Sequence, residues 1–203
     1  MTTVKIVQPR VTMHALNKLI DHFANIVFVT VAYVTSFALV QGFVFPIQSS
    51  VMPEAALSFS LLFLPHGVRV IAFHFYGWKA ALYLLPAAYI SWGIAALEGS
   101  TNSLVSPLVS ILACLAAWFI FQNGRIIRGP LQRTGVVSSL VIMGTIASFF
   151  NSIGLSYLNS ADWIITGFLG YLVGDTLGML ATYWGLLAAY RILNKLFGST
   201  KET

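Results

Sequence analysis

The stretch LPHGVRV, residues 64–70, lies in the middle of an apolar run, residues 57–76, that is long enough to cross a bilayer. Within this run the stretch places a proline, a histidine, a glycine and a guanidinium close together. An arginine at the centre of a bilayer costs at least about 2.5–3.5 kcal/mol, so such a residue usually has a partner and a function. The stretch therefore predicts a polar site in the interior of a membrane protein.

The composition of the whole chain agrees with a membrane protein. Apolar residues make up 58% of the 203 residues, charged residues 8%, and the mean hydropathy is +0.83. A soluble domain carries about 25% charged residues, so this chain cannot cover a water-facing surface. We expect an all-α, polytopic transmembrane helix bundle that forms a single domain over residues 1–203. The single cysteine, Cys114, excludes an internal disulfide and a cysteine-based metal cluster.

Apolar runs of about 20 residues predict six membrane crossings. Pro46 closes the first run, and the last run contains no helix breaker before Gly198, so its helix is expected to continue over residues 188–197. Residues 1–24 predict a short helix on the membrane surface, without the cleavage site of a signal peptide. The six runs are residues 25–45, 57–76, 80–97, 104–121, 135–157 and 163–187.

Basic residues predict the orientation of these crossings. In the six-crossing arrangement ten Lys and Arg residues fall on one side, and the opposite loops contain only the acids Glu54, Glu98 and Asp162. The positive-inside rule then places both termini in the cytoplasm, and we expect a bacterial inner-membrane protein. The ten residues are Lys5, Arg10, Lys18, Lys79, Arg125, Arg128, Arg133, Arg191, Lys195 and Lys201.

Asp175 is the only acidic residue that, like Arg69, lies deep in an apolar run. With a rise of 1.5 Å per helical residue, both lie about 18 Å below the outer ends of their predicted helices, so we expect them to meet. Two interpretations stay open: an ion pair that only locks two helices together, or a ligand-binding site. His66 shares the helix face of Arg69, and Asn151 is a weaker candidate; these four residues are the predicted ligand-binding set.

Proline and glycine residues near these candidates predict structural roles. Pro65 and Gly67 are expected to break their helix and to free the carbonyls of residues 61–63 to face a cavity. Gly170, Gly174 and Gly178 are four residues apart, which predicts a groove in which another helix backbone approaches closely.

The sequence contains no enzyme motif that we recognise. It has no paired carboxylates, no histidines with metal-ligand spacing, no nucleotide-binding loop, and no Ser-His-Asp set that the spacing brings together. We therefore expect a protein that is not an enzyme and has no cofactor, metal or nucleic-acid partner. Its expected partners are the lipid bilayer, a small-molecule ligand and a separate protein.

Three short motifs resemble membrane-associated sensor domains of the MASE type. These are LPHGVRVI at residues 64–71, the turn GWKAAL at residues 77–82, and GDTLG at residues 174–178, which is similar to the Asp-x-x-Gly motif in the last helices of those domains. The resemblance implies reception of a ligand or signal at the membrane, without catalysis. Because the chain ends at Thr203 without an output domain, a signal is expected to leave through a separate membrane or cytoplasmic partner.

Six crossings in a chain of this length also resemble the substrate-binding S-component of energy-coupling-factor vitamin transporters. An accessory subunit of a larger membrane complex is a third interpretation. The location of a pocket separates the three. An S-component predicts a pocket that opens outward near Trp163, Asn151 and the outer loops. A sensor predicts a mid-membrane pocket at His66, Arg69 and Asp175, and an accessory subunit predicts none.

Overall fold

The computed structural model describes residues 10–52, 60–123, 135–159 and 164–197. Within these ranges the protein is all-helical, as the composition predicts, and contains no strand. Five helical stretches are long and apolar enough to cross a membrane, which agrees with the expected membrane protein. They are Leu16–Val51, Leu64–Leu97, Ser106–Asn123, Val136–Asn159 and Ile165–Phe197.

The first stretch is one continuous helical rod. Helix α1 spans Arg10–Leu39, a π-helical turn follows over Val40–Val44, and helix α2 spans Phe45–Val51. A short helix that ends before residue 25 is therefore not observed, because α1 contains no glycine or proline that would end it there; its predicted position on the membrane surface stays a prediction. The predicted end at Pro46 is also wrong. This proline lies in the first turn of α2, where a missing N–H is tolerated.

The second stretch consists of two helices. Helix α3 spans Leu64–Tyr76, and a 3₁₀ turn over Gly77–Lys79 leads into helix α4, Ala80–Leu97. Gly77 ends α3 with φ +60°, a conformation that glycine adopts without strain. The predicted helix over residues 57–76 is wrong in its first part. Residues 60–63 are not helical, and residues 57–59 lie outside the described ranges.

Pro65 explains why α3 begins where it does. It occupies the first turn of the helix, where its fixed φ fits and its missing N–H costs nothing. Phe63, just before the helix, has φ −91° and ψ 82°, which is not helical. The proline therefore starts a helix here and does not kink one.

Three further helices complete the described fold. They are α5, Ser106–Asn123, α6, Val136–Asn159, and α7, Ile164–Phe197. Their starts, and the whole of α4, lie close to the predicted runs. Helix α7 continues without a break to Phe197, through the residues where the sequence contains no breaker.

Side-chain contacts show the direction in which each helix runs. His22 meets Tyr83 and Gln41 meets Glu98, so the first rod and α4 run the same way. Ser106, at the start of α5, bonds Asn159, at the end of α6, so these helices are antiparallel. We call the end of the bundle that contains Glu98, Ser106 and Asn159 the Glu98 end, and the opposite one the Lys79 end.

Helices α3 and α7 both run away from the Glu98 end. Phe63 contacts Gly174, and Leu64, next along the chain, contacts Thr182, so the two segments are parallel. Asn151 of α6 meets Asp175 of α7, and Gly144, earlier in α6, lies against Met179, later in α7, which places α6 antiparallel to both. The bundle thus brings α3, α6 and α7 side by side around the polar residues of the predicted site.

Candidate ligand-binding site

The non-helical residues 60–63 lie directly on the glycine ridge of α7. The backbone N–H of Phe63 donates to the carbonyl of Gly174 at 3.0 Å. A Cβ atom added to Gly174 would collide with the carbonyl oxygen of Ser60, and one added to Gly178 would collide with that of Phe63. The sequence predicts this close approach of another backbone to the ridge. The backbone that approaches these two glycines is non-helical chain, however, and not a helix. Gly170 is buried on the same helix.

Side-chain oxygens bond the backbone of the non-helical segment and of the first residue of α3. The Oε1 atom of Gln48 accepts from the N–H of Leu61 at 2.8 Å. The hydroxyl of Thr182 donates to the carbonyl of Leu64 at 3.0 Å, and a Cβ atom on Gly67 would collide with this side chain. Non-helical backbone at membrane depth requires such internal partners. Gly67 is therefore needed for close packing of α3 on α7.

The four candidate residues meet around the carboxylate of Asp175, which is 2% exposed. Its Oδ2 atom accepts a hydrogen bond from Nδ2 of Asn151 and lies 3.3 Å from Nδ1 of His66. Its Oδ1 atom lies 3.9 Å from Nη2 of Arg69. The structure thus brings together Arg69 and Asp175, the pair that the sequence predicts to meet, and adds His66 and Asn151 on the other oxygen.

His66 connects Asp175 to a buried serine on α6. Its Nε2 atom lies 3.1 Å from Oγ of Ser148 and 3.4 Å from the carbonyl of Gly144. Ser148, His66 and Asp175 thus follow the order of a hydrolase triad, although the sequence analysis expects no such set. Ser148 is fully buried and does not line the cavity described below, so its hydroxyl is closed to a substrate in this structure. The arrangement orients His66 and Asp175.

Arg69 is the least satisfied polar residue of the cluster. It is 1% exposed, and its Nε and Nη2 atoms have no hydrogen-bond partner among the described residues. The separation of 3.9 Å from Asp175 is too long for a hydrogen bond. Its Cζ atom lies 5.5 Å from the centroid of the Phe63 ring, within the range of a cation–π contact. A buried donor without a partner costs about 1–3 kcal/mol or more, which a bound acceptor would remove.

A cavity of about 700 Å³ connects this arginine to the Glu98 end of the bundle. This volume lies within the usual range for small-molecule sites, about 300–1,000 Å³. Arg69 and Asp175 line its inner part, and the loop between α4 and α5 lines its opening. His66 and Asn151 lie behind Asp175 and do not line the cavity. They hold the carboxylate and have no direct access to a ligand.

The wall residues of this cavity include several that the sequence analysis does not single out. Helix α4 contributes Ala88, Ser91, Trp92 and Ala95 from one face, and Tyr33, Ser110 and Tyr171 come from three other helices. On α4 the detectable signal is a stripe of small and polar residues at helical spacing that ends at Glu98. From the sequence, that run is predicted only to cross the bilayer.

Polar contacts tie the elements at the opening together. The Nε2 atom of Gln41 donates to Oε2 of Glu98 at 2.7 Å, and the indole N–H of Trp92 donates to the carbonyl of Asn102 at 3.1 Å. Trp163, which one interpretation places at this opening, lies outside the described residues. The loop is thus joined to the first rod and to α4 around the entrance.

Comparison of the chain with protein-family models, curated proteins and solved structures found no match. The cavity and its charged residues are therefore the features that indicate a function.

Proposed function

We propose that this chain is an integral membrane protein that binds a small molecule with an anionic group in the cavity, with Arg69 as the anchoring cation. The observation that carries the proposal is the buried guanidinium with unpaired Nε and Nη2 donors, at the inner end of an open cavity. A guanidinium presents two parallel N–H donors that match a carboxylate or phosphate group. Asp175 counters its charge at 3.9 Å without occupying those donors.

The remainder of the cavity favours a ligand with an organic body. Phe37, Phe63 and Trp92 offer apolar surface, while Tyr33 and Ser91 offer hydroxyls. Sites of this composition bind small molecules by apolar contact and use a few polar groups for orientation. A carboxylate or phosphate on an aromatic or aliphatic body of moderate size fits both the volume and the lining.

We propose six crossings with both termini in the cytoplasm. The alternating helix directions support this count, with α3 and α4 as separate crossings joined at Gly77. Helix α3 has 13 residues, about 20 Å, and residues 60–63 add length toward the Glu98 end. The basic residues favour a cytoplasmic Lys79 end, so the cavity opens toward the periplasm of a bacterial inner membrane. Reporters after Thr203 and at Gln132 should read cytoplasmic, and one at Thr101 periplasmic; any other pattern overturns this topology.

The cavity bears on the three interpretations of the sequence. It opens at the loop between α4 and α5, which supports capture of a substrate from outside, and it reaches Arg69 and Asp175, two of the three residues that a sensor would use. An accessory subunit that only packs against a complex would not need it. We therefore retain sensing through a separate partner and substrate capture for a separate transport module as the two forms of the proposal. Both are non-catalytic.

The test is to identify the ligand in the purified protein. We expect native mass spectrometry of the detergent-solubilised chain to show a co-purifying anionic molecule, and we expect Arg69→Gln to lose it. Arg191→Gln, at an exposed arginine outside the cavity, is the matched control and should retain it. Benzoate and benzenesulfonate should raise the thermal stability of the wild type but not of Arg69→Gln. The absence of any anion whose binding depends on Arg69 would contradict the proposal.

A further inference from the structure

The inner part of the cavity is electrically balanced before a ligand enters. Its charged residues are Arg69 and Asp175, and Arg69 is the single cation among the described residues that line the cavity. The third charged residue of the lining, Glu98, lies at the opening and accepts from Gln41. An anion that docks on Arg69 therefore adds a negative charge for which the cavity lining contains no further cation.

Such a charge is costly in a water-poor interior. An uncompensated buried ion is strongly disfavoured, and ionisable groups usually respond by gaining or losing a proton. Asp175 lies close to the docking edge of Arg69, so its carboxylate would feel the new anion most strongly. Uptake of one proton at this carboxylate or its partner would restore neutrality.

His66 offers a prepared position for that proton. Its Nδ1 atom faces Oδ2 of Asp175 at 3.3 Å and makes no hydrogen bond, while its Nε2 atom faces the carbonyl of Gly144 at 3.4 Å. In the protonated ring both nitrogens carry a hydrogen, one on the side of the carboxylate and one on the side of the carbonyl. The hydroxyl of Ser148, 3.1 Å from Nε2, can turn from donor to acceptor. An extra proton on the ring therefore lies between the carboxylate of Asp175 and two groups of α6 that can accept from the ring.

Other titratable groups near this pair do not compete for the proton. Tyr33 on α1, Cys114 on α5 and Tyr171 on α7 face the cluster, and each is neutral when protonated and so has no site for a further proton. Helix α6 contributes Asn151 and Ser148, which do not titrate, and none of the α4 residues that line the cavity titrates; Glu98, just after α4, lies at the opening. Apart from Arg69, the described groups that surround the site leave Asp175 and His66 as the acceptor.

We propose that each anion bound at Arg69 is accompanied by one proton taken up from solution and held between Asp175 and His66. This inference rests on the proposed anion-binding function and adds a second, chemically distinct ligand to the same site. By linkage, binding of the anion weakens as pH rises, by about tenfold per pH unit for one proton. A protein that captures anions in this way binds them as ion and proton together.

Calorimetry of the full chain in detergent tests the inference. Benzenesulfonate is the probe, because it cannot carry a proton itself near neutral pH. Titrations in buffers with different ionisation enthalpies should give one proton taken up per bound anion. In Asp175→Asn the anion should bind with no proton taken up, since the neutral amide leaves Arg69 to balance the anion alone. Asp21→Asn, at an exposed acid outside the cavity, should still take up one.

The outcomes separate this inference from the proposed function. Binding that depends on Arg69 with no proton uptake by the wild type overturns the inference and leaves the function standing. Unchanged uptake in Asp175→Asn overturns it as well. If Asp175→Asn does not fold, the proton count of the wild type and the decline of its affinity with pH decide. Absence of Arg69-dependent anion binding overturns the proposed function, and the inference falls with it.

Discussion

The two charges at the inner end of the cavity are held in very different ways. Asp175 receives a hydrogen bond from Asn151, faces His66, and lies on the helix whose glycines clamp residues 60–63. Arg69 is equally buried, but its Nε and Nη2 atoms have no hydrogen-bond partner among the described residues, and its ion-pair partner lies at 3.9 Å. Protein groups hold the carboxylate, whereas the guanidinium is left available. The carboxylate is thus the fixed member of the charge pair, and the guanidinium is the member with donors to spare.

The largest effect is expected where the fixed charge is removed. Asp175→Asn leaves Arg69 as an uncompensated cation, and breaking a buried pair costs about 3–5 kcal/mol in soluble proteins. Thermal unfolding of the detergent-solubilised variant should show a large loss of stability. Asp21→Asn should unfold at the wild-type temperature, and an equal loss in both variants would remove any special role for Asp175.

The next effect concerns the ridge that supports the carboxylate. Gly178→Ala drives a Cβ atom into the carbonyl of Phe63, and overpacking of this kind costs about 1–3 kcal/mol. Gly185→Ala on the same helix meets no atom within 4 Å and should be neutral or slightly stabilising. Thermal unfolding of the two variants compares them directly. If Gly178→Ala is as stable as Gly185→Ala, residues 60–63 do not lie on α7 as described.

Removal of the available charge should cost less stability. Arg69→Gln leaves Asp175 with Asn151 and His66, so its unfolding temperature should fall by less than that of Asp175→Asn. The double variant should recover much of the loss, because paired sites are not additive and couple by about 0.5–3 kcal/mol. Additive losses would show that the two residues do not interact. A larger loss in Arg69→Gln than in Asp175→Asn would reverse the comparison.

The smallest loss of stability is expected for a change at Ser148, which lies behind His66. Ser148→Ala removes one hydroxyl next to Nε2, and a single buried hydrogen bond contributes about 1 kcal/mol. Chemical or thermal unfolding should register a small loss, with Ser138→Ala at a partly exposed serine of the same helix as the control. A loss as large as that of Asp175→Asn would mean that Ser148 holds the cluster together and does not merely orient His66.

The sequence predicts the polar centre better than the cavity around it. The polar centre is detectable because charged residues deep in apolar runs are rare, and Arg69 and Asp175 are the only two in this sequence. The prediction that both charges lie at equal depth assumes a helix over residues 57–76, yet residues 60–63 are not helical. The two charges therefore come close because residues 60–63 and α3 pack against α7. Local helix propensity does not predict this packing. The spacing of the glycines predicts the ridge on α7, but it does not reveal which segment packs on that ridge.

Other features of the structure arise from contacts between distant segments. Ser148 meets His66 across 82 positions of the chain, so no local pattern indicates the Ser-His-Asp order. The cavity wall on α4 consists of small residues, which in a membrane helix look the same whether they face a helix, lipid or an empty space. The continuity of α1 into α2 depends on a π-turn ahead of Pro46, a local adjustment that proline statistics do not anticipate.

The short start of α3 on the glycine ridge makes two distant motifs depend on each other. Gly174 and Gly178 admit the backbone of residues 60–63, and Asp175 between them meets His66 and Arg69 from the helix that follows that backbone. A change of either glycine displaces both the backbone and the charge pair. Chains that share this arrangement should therefore contain Leu-Pro-His-Gly-x-Arg and Gly-Asp-x-x-Gly together and seldom one alone, which gives a pattern for finding them among sequences too divergent to align.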